Sequence, residues 1–277
     1  MKRNKMLTWF GLKFNPFCPD IPIEDLYRSD RVMDFCKRVI HLCESGGFAL
    51  ITGEPGHGKS VALRILAKEI EKLGELKLGR LTRPQSNLPD FYQELGAIYE
   101  LPMRPTNRWR GFKALREQWL EHVASTLYRP VLLIDEASLM RTQTLSELRL
   151  LSSMEFDSKN TLSVVLCGDG MLTDRFRTPE LLPLGTRIRT RLNMQKASSE
   201  EMCAYVQHIL EAAGNPQLMA KQLVEVLVDH SMGNYGLLST MANELLCEAF
   251  LRELSILDEK LYLQVFQSTK RPKKSVA

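Results

Sequence analysis

A glycine-rich segment, ITGEPGHGKSVALRIL at residues 51–66, places a lysine and a serine between an apolar stretch and an amphipathic one. The spacing Gly-x-x-x-x-Gly-Lys-Ser runs from Gly53 to Ser60. Glycines allow successive backbone N–H groups to turn toward an anion, and a helix that follows adds the positive end of its dipole. We therefore predict a phosphate-binding loop, in which Lys59 contacts the β- and γ-phosphates and the Ser60 hydroxyl binds Mg²⁺. The predicted nucleotide-binding residues are Gly53, Glu54, Pro55, Gly56, His57, Gly58, Lys59, Ser60 and Val61.

A plain strand-to-helix turn is the alternative interpretation of this loop. A chance match to the pattern in a chain of this length is roughly a one-in-a-hundred event, so we favour phosphate binding. His57 occupies a variable position of the pattern. We expect it to act as a spacer, whose backbone N–H rather than its imidazole contacts the phosphate.

Two adjacent carboxylates, Asp135 and Glu136, directly follow the apolar run VLLI. The carboxyl end of a buried strand is where open α/β sheets bind ligands. We predict that Asp135 holds Mg²⁺ through water and that Glu136 orients or deprotonates an attacking water. A merely solvated strand end is a poor alternative once a phosphate loop is present in the same chain.

Apolar segments that are typical of buried strands alternate with helical patterns over the first two thirds of the chain. This alternation predicts an α/β fold, with a parallel sheet between two helical layers, followed by a small all-helical domain. The predicted divisions are an irregular, proline-containing segment at 1–30 that packs on the core, an α/β nucleotide-binding domain at 31–195, a helical lid domain at 196–268 and a basic disordered tail at 269–277.

Composition limits the other classes of function. The net charge of +4 over 277 residues is too small to indicate a nucleic-acid partner by itself. The six cysteines form no Cys-x-x-Cys pair, which favours reduced, buried thiols over a zinc site. No run of 18 apolar residues and no signal peptide are evident, so we expect a cytoplasmic protein without a membrane span.

Five segments together resemble one family. In order along the chain they are GLKFNPF, GEPGHGKS, LLIDEA, VVLCGDGML and GTRIRTRL. Their order and spacing resemble those of AAA+ ATPases, and GLKFNPF is most similar to the ExeA-type group. That group includes a secretion-pathway ATPase and the ATPase regulators of transposition of the TnsC, TniB and IstB types. The resemblance extends from about residue 8 to residue 255 and implies a P-loop ATPase that uses ATP and Mg²⁺.

The resemblance also implies roles for two further sites. Asp169, in LCGDGML, stands where the family has its sensor-1 residue, which contacts the γ-phosphate or the attacking water. Arg187, in GTRIRTRL, resembles the arginine finger that completes a neighbouring subunit's site, with Arg189 and Arg191 as close rivals. A finger supplied by a neighbour requires self-assembly into a ring or a helical filament. The alternative is that these arginines lie on a basic surface strand.

One position departs from the family. The family often has an arginine, called sensor 2, at the start of a lid helix, and Gly236 stands at that position in MGNYGLLSTM. The departure implies weak coupling between nucleotide and lid, so hydrolysis is expected to be slow or to depend on a partner.

Two uses of ATP follow from the resemblance. The first is assembly on duplex DNA to direct a transposase, an integrase or a similar enzyme. The second is a secretion-pathway role, and a generic remodeller without DNA is a further alternative. The length of 277 residues and the lack of a span favour the first. For the role on duplex DNA, the candidate DNA contacts are Arg83, Asn87, Thr106, Arg108 and Arg110. An exposed helix start with Trp109 packed inward is the competing interpretation of RPTNRWRGFK.

Overall fold

The structure is a computed structural model that describes residues 2–101, 108–156 and 158–267, with side chains for all of them except 2–4, 108 and 267. Two sequence predictions, the tail at 269–277 and the DNA contact Thr106, lie outside the described residues. By its internal contacts the chain divides into a unit of Arg28–Gln195 and a unit that joins Met1–Tyr27 to Lys196–Ala277.

Seven strands form in the described residues. They are β1 (Gly47–Gly53), β2 (Leu78–Leu81), β3 (Val131–Ile134), β4 (Ser153–Met154), β5 (Lys159–Asn160), β6 (Ser163–Gly168) and β7 (Ile188–Met194). Five of these seven described strands pair in parallel in the order β2-β3-β6-β1-β7, whereas β4 and β5 form a small antiparallel pair.

Twelve α-helices accompany them in the same described parts of the chain. They are α1 (Lys2–Phe10), α2 (Asp30–Ser45), α3 (Lys59–Glu71), α4 (Leu88–Ile98), α5 (Arg108–Thr126), α6 (Thr142–Ser152), α7 (Gly170–Arg175), α8 (Leu182–Gly185), α9 (Ser199–Ala213), α10 (Lys221–Ser231), α11 (Tyr235–Leu251) and α12 (Glu259–Tyr262). Short 3₁₀ turns at Ile23–Asp25 and Ala137–Leu139 and a π turn at Leu263–Gln267 complete the elements.

Strand β1 lies between β6 and β7 in the parallel sheet, and all of its residues are buried. Since side chains alternate along a strand, Phe48 and Leu50 share one face and join a core with residues of α4, α5 and α6. Ala49 and Ile51 take the opposite face, and β1 also contacts α2 and α3. The predicted parallel sheet between two helical layers is therefore confirmed.

The apolar pattern did not predict strand β7, because exposed residues, two of them arginines, interrupt the apolar run that is typical of a buried strand. Ile188, Thr190, Leu192 and Met194 are buried, and the three residues between them are exposed. This period of two is the signal of a strand with one covered face. The alternative interpretation, in which the arginines lie on a surface strand, is therefore correct for the backbone of this segment.

The helical unit is built from α9 to α12 together with the start of the chain. Met6, Phe10, Leu12 and Phe17 lie in one hydrophobic cluster with buried residues of α9, α10 and α11. The N–H of Lys13 donates to the carbonyl of Ala213 at 2.9 Å. The N-terminal segment thus differs from the prediction in two respects: it begins with helix α1, and it packs within the helical unit because its apolar side chains complete that unit's core.

All six cysteines are free thiols. Burial raises the pKa of Cys36 to about 11 and that of Cys43 to about 12, so both remain protonated near neutral pH. Cys247 is exposed, although its apolar surroundings in the sequence suggested burial, because it faces away from the buried stripe of α11. Within the described residues, no helix is long and apolar enough to cross a bilayer.

Candidate functional site

The glycine-rich loop connects the end of β1 to the start of α3, as the phosphate-loop prediction requires. Gly56 and Gly58 have φ values of +81° and +88°, which side chains with a Cβ rarely adopt. A Cβ on Gly53 would lie 2.5 Å from the carbonyl oxygen of Met194. Each of the three glycines is therefore needed for the loop conformation or for its close approach to β7.

Positive charge is concentrated in this loop. Helix α3 begins at Lys59, so the N–H groups of its first turn have no carbonyl partner within the helix. The ammonium of Lys59 donates to the carbonyl oxygens of Gly53 at 2.8 Å and of Glu54 at 3.1 Å, which holds its charge inside the loop. Backbone donors, helix dipole and ammonium together favour an anion such as a phosphate.

The side chain of His57 does more than the spacer role that the sequence analysis assigned to it. Its imidazole is only 4% exposed, and Nδ1 lies 3.2 Å from the carbonyl oxygen of Met194 at the end of β7. Because Gly53 approaches the same carbonyl, both the start and the middle of the loop contact the last residue of β7. No signal local to the loop predicts this contact, since the two residues are 137 positions apart.

The loop serine and the acidic strand end meet. Ser60 Oγ donates to Asp135 Oδ2 at 3.0 Å, and Asp135 Oδ1 accepts from the N–H of Glu136 at 2.9 Å. Strands β3, β6 and β1 are adjacent and parallel, so their carboxyl ends bring these residues to the same edge of the sheet. Hydroxyl and carboxylate oxygens are the donors that Mg²⁺ prefers, so this pair fits that ion.

Cys167, near the end of β6, is a buried neighbour of this edge. Burial, reinforced by the Asp135 carboxylate, raises the pKa of the Cys167 thiol well above its usual range. The thiol therefore stays neutral and lies against the Asp135 carboxylate at the acidic strand end.

Glu136 has a strained backbone. Its φ of +51° is uncommon for a residue with a side chain, and it begins the 3₁₀ turn Ala137–Leu139. Its side chain is exposed, and within the described residues no hydrogen bond reaches its carboxylate. Strain of this kind concentrates at functional sites, and here it presents the carboxylate to solvent beside Asp135.

Asp169 follows β6 and lies at the same edge. Its Oδ1 accepts the Ser138 hydroxyl at 2.8 Å, and its N–H donates to Ser138 Oγ at 3.0 Å. Nothing in the sequence marks Ser138, two residues after Glu136, as the partner of a residue 31 positions away.

The three candidate finger arginines lie elsewhere. Ile188 pairs with Phe48 and Met194 pairs with Gly53, so Arg187 lies beside the amino end of β1. At about 3.3 Å per strand residue, that is about 20 Å from the loop of its own chain. Arg187 donates to Ser153 Oγ, Arg189 donates to Ser45 Oγ at 3.1 Å, and Arg191 donates to the Gly185 carbonyl at 3.3 Å.

The helical unit has a glycine at its candidate sensor position. Gly236 lies in the first turn of α11, whose N-cap Asn234 accepts from the N–H of Leu237 at 2.9 Å. A Cβ on the preceding Gly233, whose φ is +78°, would lie 2.5 Å from the Ala197 carbonyl oxygen. Helix α11 contains no arginine, so it offers no sensor-2 side chain of the family type.

The described candidate DNA contacts lie on separate elements of the chain. Arg83 is exposed after β2, and Arg110 is exposed on α5. Asn87 is the N-cap of α4, and its side chain accepts from the N–H of Asp90 at 3.0 Å, so part of its capacity is used within the helix. Arg108 begins α5, but its side chain is not among those that the structure describes.

Trp109 is 72% exposed, so the alternative in which it packs inward is wrong.

Comparison with known sequences agrees with this geometry. A family model described as an AAA domain matches residues 41–176. The chain is 31% identical over 249 residues to General secretion pathway protein A of Aeromonas hydrophila, which covers 88% of this chain and 45% of that protein. The chain therefore spans less than half the length of that relative. The match supports the predicted likeness to AAA+ ATPases of the ExeA type, and the finer likeness to transposition regulators stays a prediction.

Solved structures show the same fold. Aeropyrum pernix ORC2, in its ADPNP–ADP complexes, has a TM-score of 0.69 at 15% identity, over 90% of this chain and 70% of that one. ORC1 of the same organism, in complex with DNA, has a TM-score of 0.65 at 14% identity, over 92% and 68%. This chain accordingly has the fold of an AAA+ P-loop protein.

Proposed function

We propose that the chain binds ATP with Mg²⁺ at residues 53–61 and hydrolyses it within an assembly of several copies. The observation that carries this proposal is the 3.0 Å hydrogen bond from Ser60 to Asp135, which joins the phosphate loop to the acidic strand end. The ADPNP and ADP in the structure of Aeropyrum pernix ORC2, a protein of the same fold, support an adenine nucleotide.

Each residue has a proposed task in that reaction. Lys59 and the N–H groups of the loop hold the β- and γ-phosphates, and Ser60 and Asp135 hold Mg²⁺. When bound, Mg²⁺ neutralises charge on the phosphates. Glu136 orients the attacking water and accepts its proton.

The remaining groups complete the site. Asp169 accepts a hydrogen bond from the attacking water, and Arg187 of a neighbouring copy stabilises the charge that develops on the transferred phosphoryl group. Because α11 offers no arginine near Gly236, turnover in the isolated protein is proposed to be slow.

Calorimetric titration tests the nucleotide proposal. ATP should bind in the presence of Mg²⁺ and bind less tightly in EDTA, and GTP should bind less tightly than ATP. Absence of ATP binding would refute the assignment of the loop. Equal affinity for ATP and GTP would refute the choice of adenine while leaving the phosphate site intact.

For the use of this ATP, we propose nucleotide-dependent assembly on duplex DNA that directs a transposase, an integrase or a similar enzyme. The exposed Arg83 and Arg110 support this role, since basic side chains bind DNA phosphates without reading sequence. The DNA held by Aeropyrum pernix ORC1 adds support from a protein of the same fold.

A secretion-pathway role is the second candidate, and the 31% identity to General secretion pathway protein A favours it. Negative-stain microscopy with a non-hydrolysable ATP analogue, with and without duplex DNA at two salt concentrations, separates the two. Rings or filaments that need both the analogue and DNA, and that diminish with salt, are expected for the DNA role. Assembly that is indifferent to DNA would refute it and favour the secretion role.

A further inference from the structure

Two hydrogen bonds in opposite directions join the turn after Glu136 to the end of β6. The Ser138 hydroxyl donates to Asp169 Oδ1 at 2.8 Å, while the same oxygen accepts the Asp169 N–H at 3.0 Å. A single hydroxyl therefore fixes both the backbone and the carboxylate of Asp169.

The carboxylate of Asp169 does not make the capping hydrogen bond that is usual at its position. Asp169 is the N-cap residue of α7, and an aspartate there ordinarily accepts a hydrogen bond from an amide of the first turn. In this structure its side chain makes no capping bond and accepts from Ser138 instead. Helix α7 forgoes a common source of stabilisation, and the carboxylate is held toward the 3₁₀ turn.

Neighbouring residues keep this pair in place. A Cβ on Gly168 would lie 2.4 Å from Ser138 Oγ, so only glycine leaves room for the hydroxyl at that point. The Arg175 guanidinium donates to the carbonyls of Ser138 at 2.7 Å and of Met140 at 2.8 Å. The turn is thus bound to the β6–α7 junction through its serine and to the last residue of α7 through its backbone.

We propose that Ser138 is a positioning residue, which holds the Asp169 carboxylate beside Glu136 so that both act on the same attacking water. This role rests on the proposed ATPase function. Since Ser138 lies in the turn that Glu136 begins, its bond to Asp169 sets the separation of the two acids. Asp169 Oδ2 receives no hydrogen bond within the described residues, so it is the oxygen that we assign to the attacking water.

Steady-state hydrolysis and ATP affinity test this proposal. Ser138→Ala should lower kcat by about 10-fold and leave the Kd for ATP within about 2-fold, because the lost interaction acts on the transition state rather than on nucleotide binding. Ser138→Thr, which keeps the hydroxyl, should retain at least about half of kcat. Ser125→Ala, which removes an exposed hydroxyl bonded to the His122 carbonyl, is the matched control and should have no effect.

A double-mutant cycle separates positioning from a general structural defect. If Ser138 acts through Asp169, then Ser138→Ala should cause no further loss of kcat in an Asp169→Ala background. Additive losses, or unchanged kcat in Ser138→Ala, would overturn the role. If the wild-type protein binds ATP but never hydrolyses it, in any state of assembly, the proposed function fails and this role fails with it. Wild-type turnover with an unaffected Ser138→Ala refutes the positioning role alone.

Discussion

The two edges of the parallel sheet are organised differently. At the carboxyl edge, Ser60 bonds to Asp135 and Ser138 bonds to Asp169, so the polar groups contact one another. Toward the amino edge, Arg187, Arg189 and Arg191 each donate to a separate acceptor on a different element. The carboxyl edge therefore holds polar side chains that hydrogen-bond to one another, whereas the three arginines bond to acceptors on three different elements.

This difference indicates how the two edges cooperate. The carboxyl edge has the backbone donors, the ammonium, the proposed magnesium ligands and the carboxylates that phosphoryl transfer would use. Arg175 also lies at this edge, but its guanidinium is bonded to the carbonyls of Ser138 and Met140, and none of the predicted site residues there is an arginine. Arg187 is about 20 Å away along the strands. A second copy that places its amino edge against this carboxyl edge would supply the missing cation, so the comparison favours assembly as a condition of activity.

The largest expected effect on nucleotide binding comes from removing the charge at the carboxyl edge. Lys59→Ala should weaken ATP binding by at least about 100-fold, because the ammonium lies inside the loop where the phosphates are expected. Isothermal titration measures the change, with Lys68→Ala, farther along the same helix, as the control. Normal binding by Lys59→Ala would refute the phosphate-loop assignment.

Removing the cation at the amino edge should leave binding intact and reduce turnover. Arg187→Ala is expected to lose roughly 10³-fold in kcat, the lower end of what an arginine finger supplies. Arg191→Ala is the control and should keep most of the activity. If Arg191→Ala loses turnover and Arg187→Ala does not, the assignment of the arginine finger to Arg187 is wrong.

Mixing variants shows directly whether the finger acts between copies. Lys59→Ala retains Arg187 but should not bind ATP, and Arg187→Ala binds ATP but lacks the finger. An equimolar mixture should recover hydrolysis that neither variant has alone. A mixture as inactive as its components would contradict action in trans.

A smaller effect is expected for the acid that faces the water. Glu136→Gln should bind ATP with unchanged affinity, assemble with it and hydrolyse it about 10²-fold more slowly, since an amide cannot accept the proton. Phosphate release measures turnover, and Glu180→Gln, an exposed glutamate on the same unit, is the control. Unchanged turnover would remove Glu136 from the mechanism.

The smallest effect concerns stability rather than chemistry. Gly53→Ala places a Cβ 2.5 Å from the Met194 carbonyl oxygen, and overpacking of this kind costs about 1–3 kcal/mol. A lower denaturation midpoint is expected. Gly74→Ala, where a Cβ would meet no atom within 4 Å, should leave the midpoint nearly unchanged. Equal midpoints for the two variants would show that the loop moves away from β7 at little cost.

Local patterns in the sequence were sufficient to predict much of the fold and the strand–loop–helix position of the glycine-rich segment. The run from Gly53 to Ser60 carries its own turn requirements, and Asp135 and Glu136 stand out because they interrupt an apolar strand. Alternating strand and helix patterns predicted the layered fold, because a two-faced buried strand has to be apolar throughout.

Interactions between distant residues were decided only by the tertiary structure. Helix α1 and strand β7 were missed because a short helix at a chain terminus and an arginine-rich strand acquire their order from the surfaces they cover. Likewise, the contact of Ser138 with Asp169 joins residues 31 positions apart, and the contact of His57 with Met194 joins residues 137 positions apart. The sequence by itself determined which groups could do phosphate chemistry. The tertiary structure decided which of them meet, because strand order and register, rather than spacing along the chain, bring the carboxyl ends of β1, β3 and β6 together.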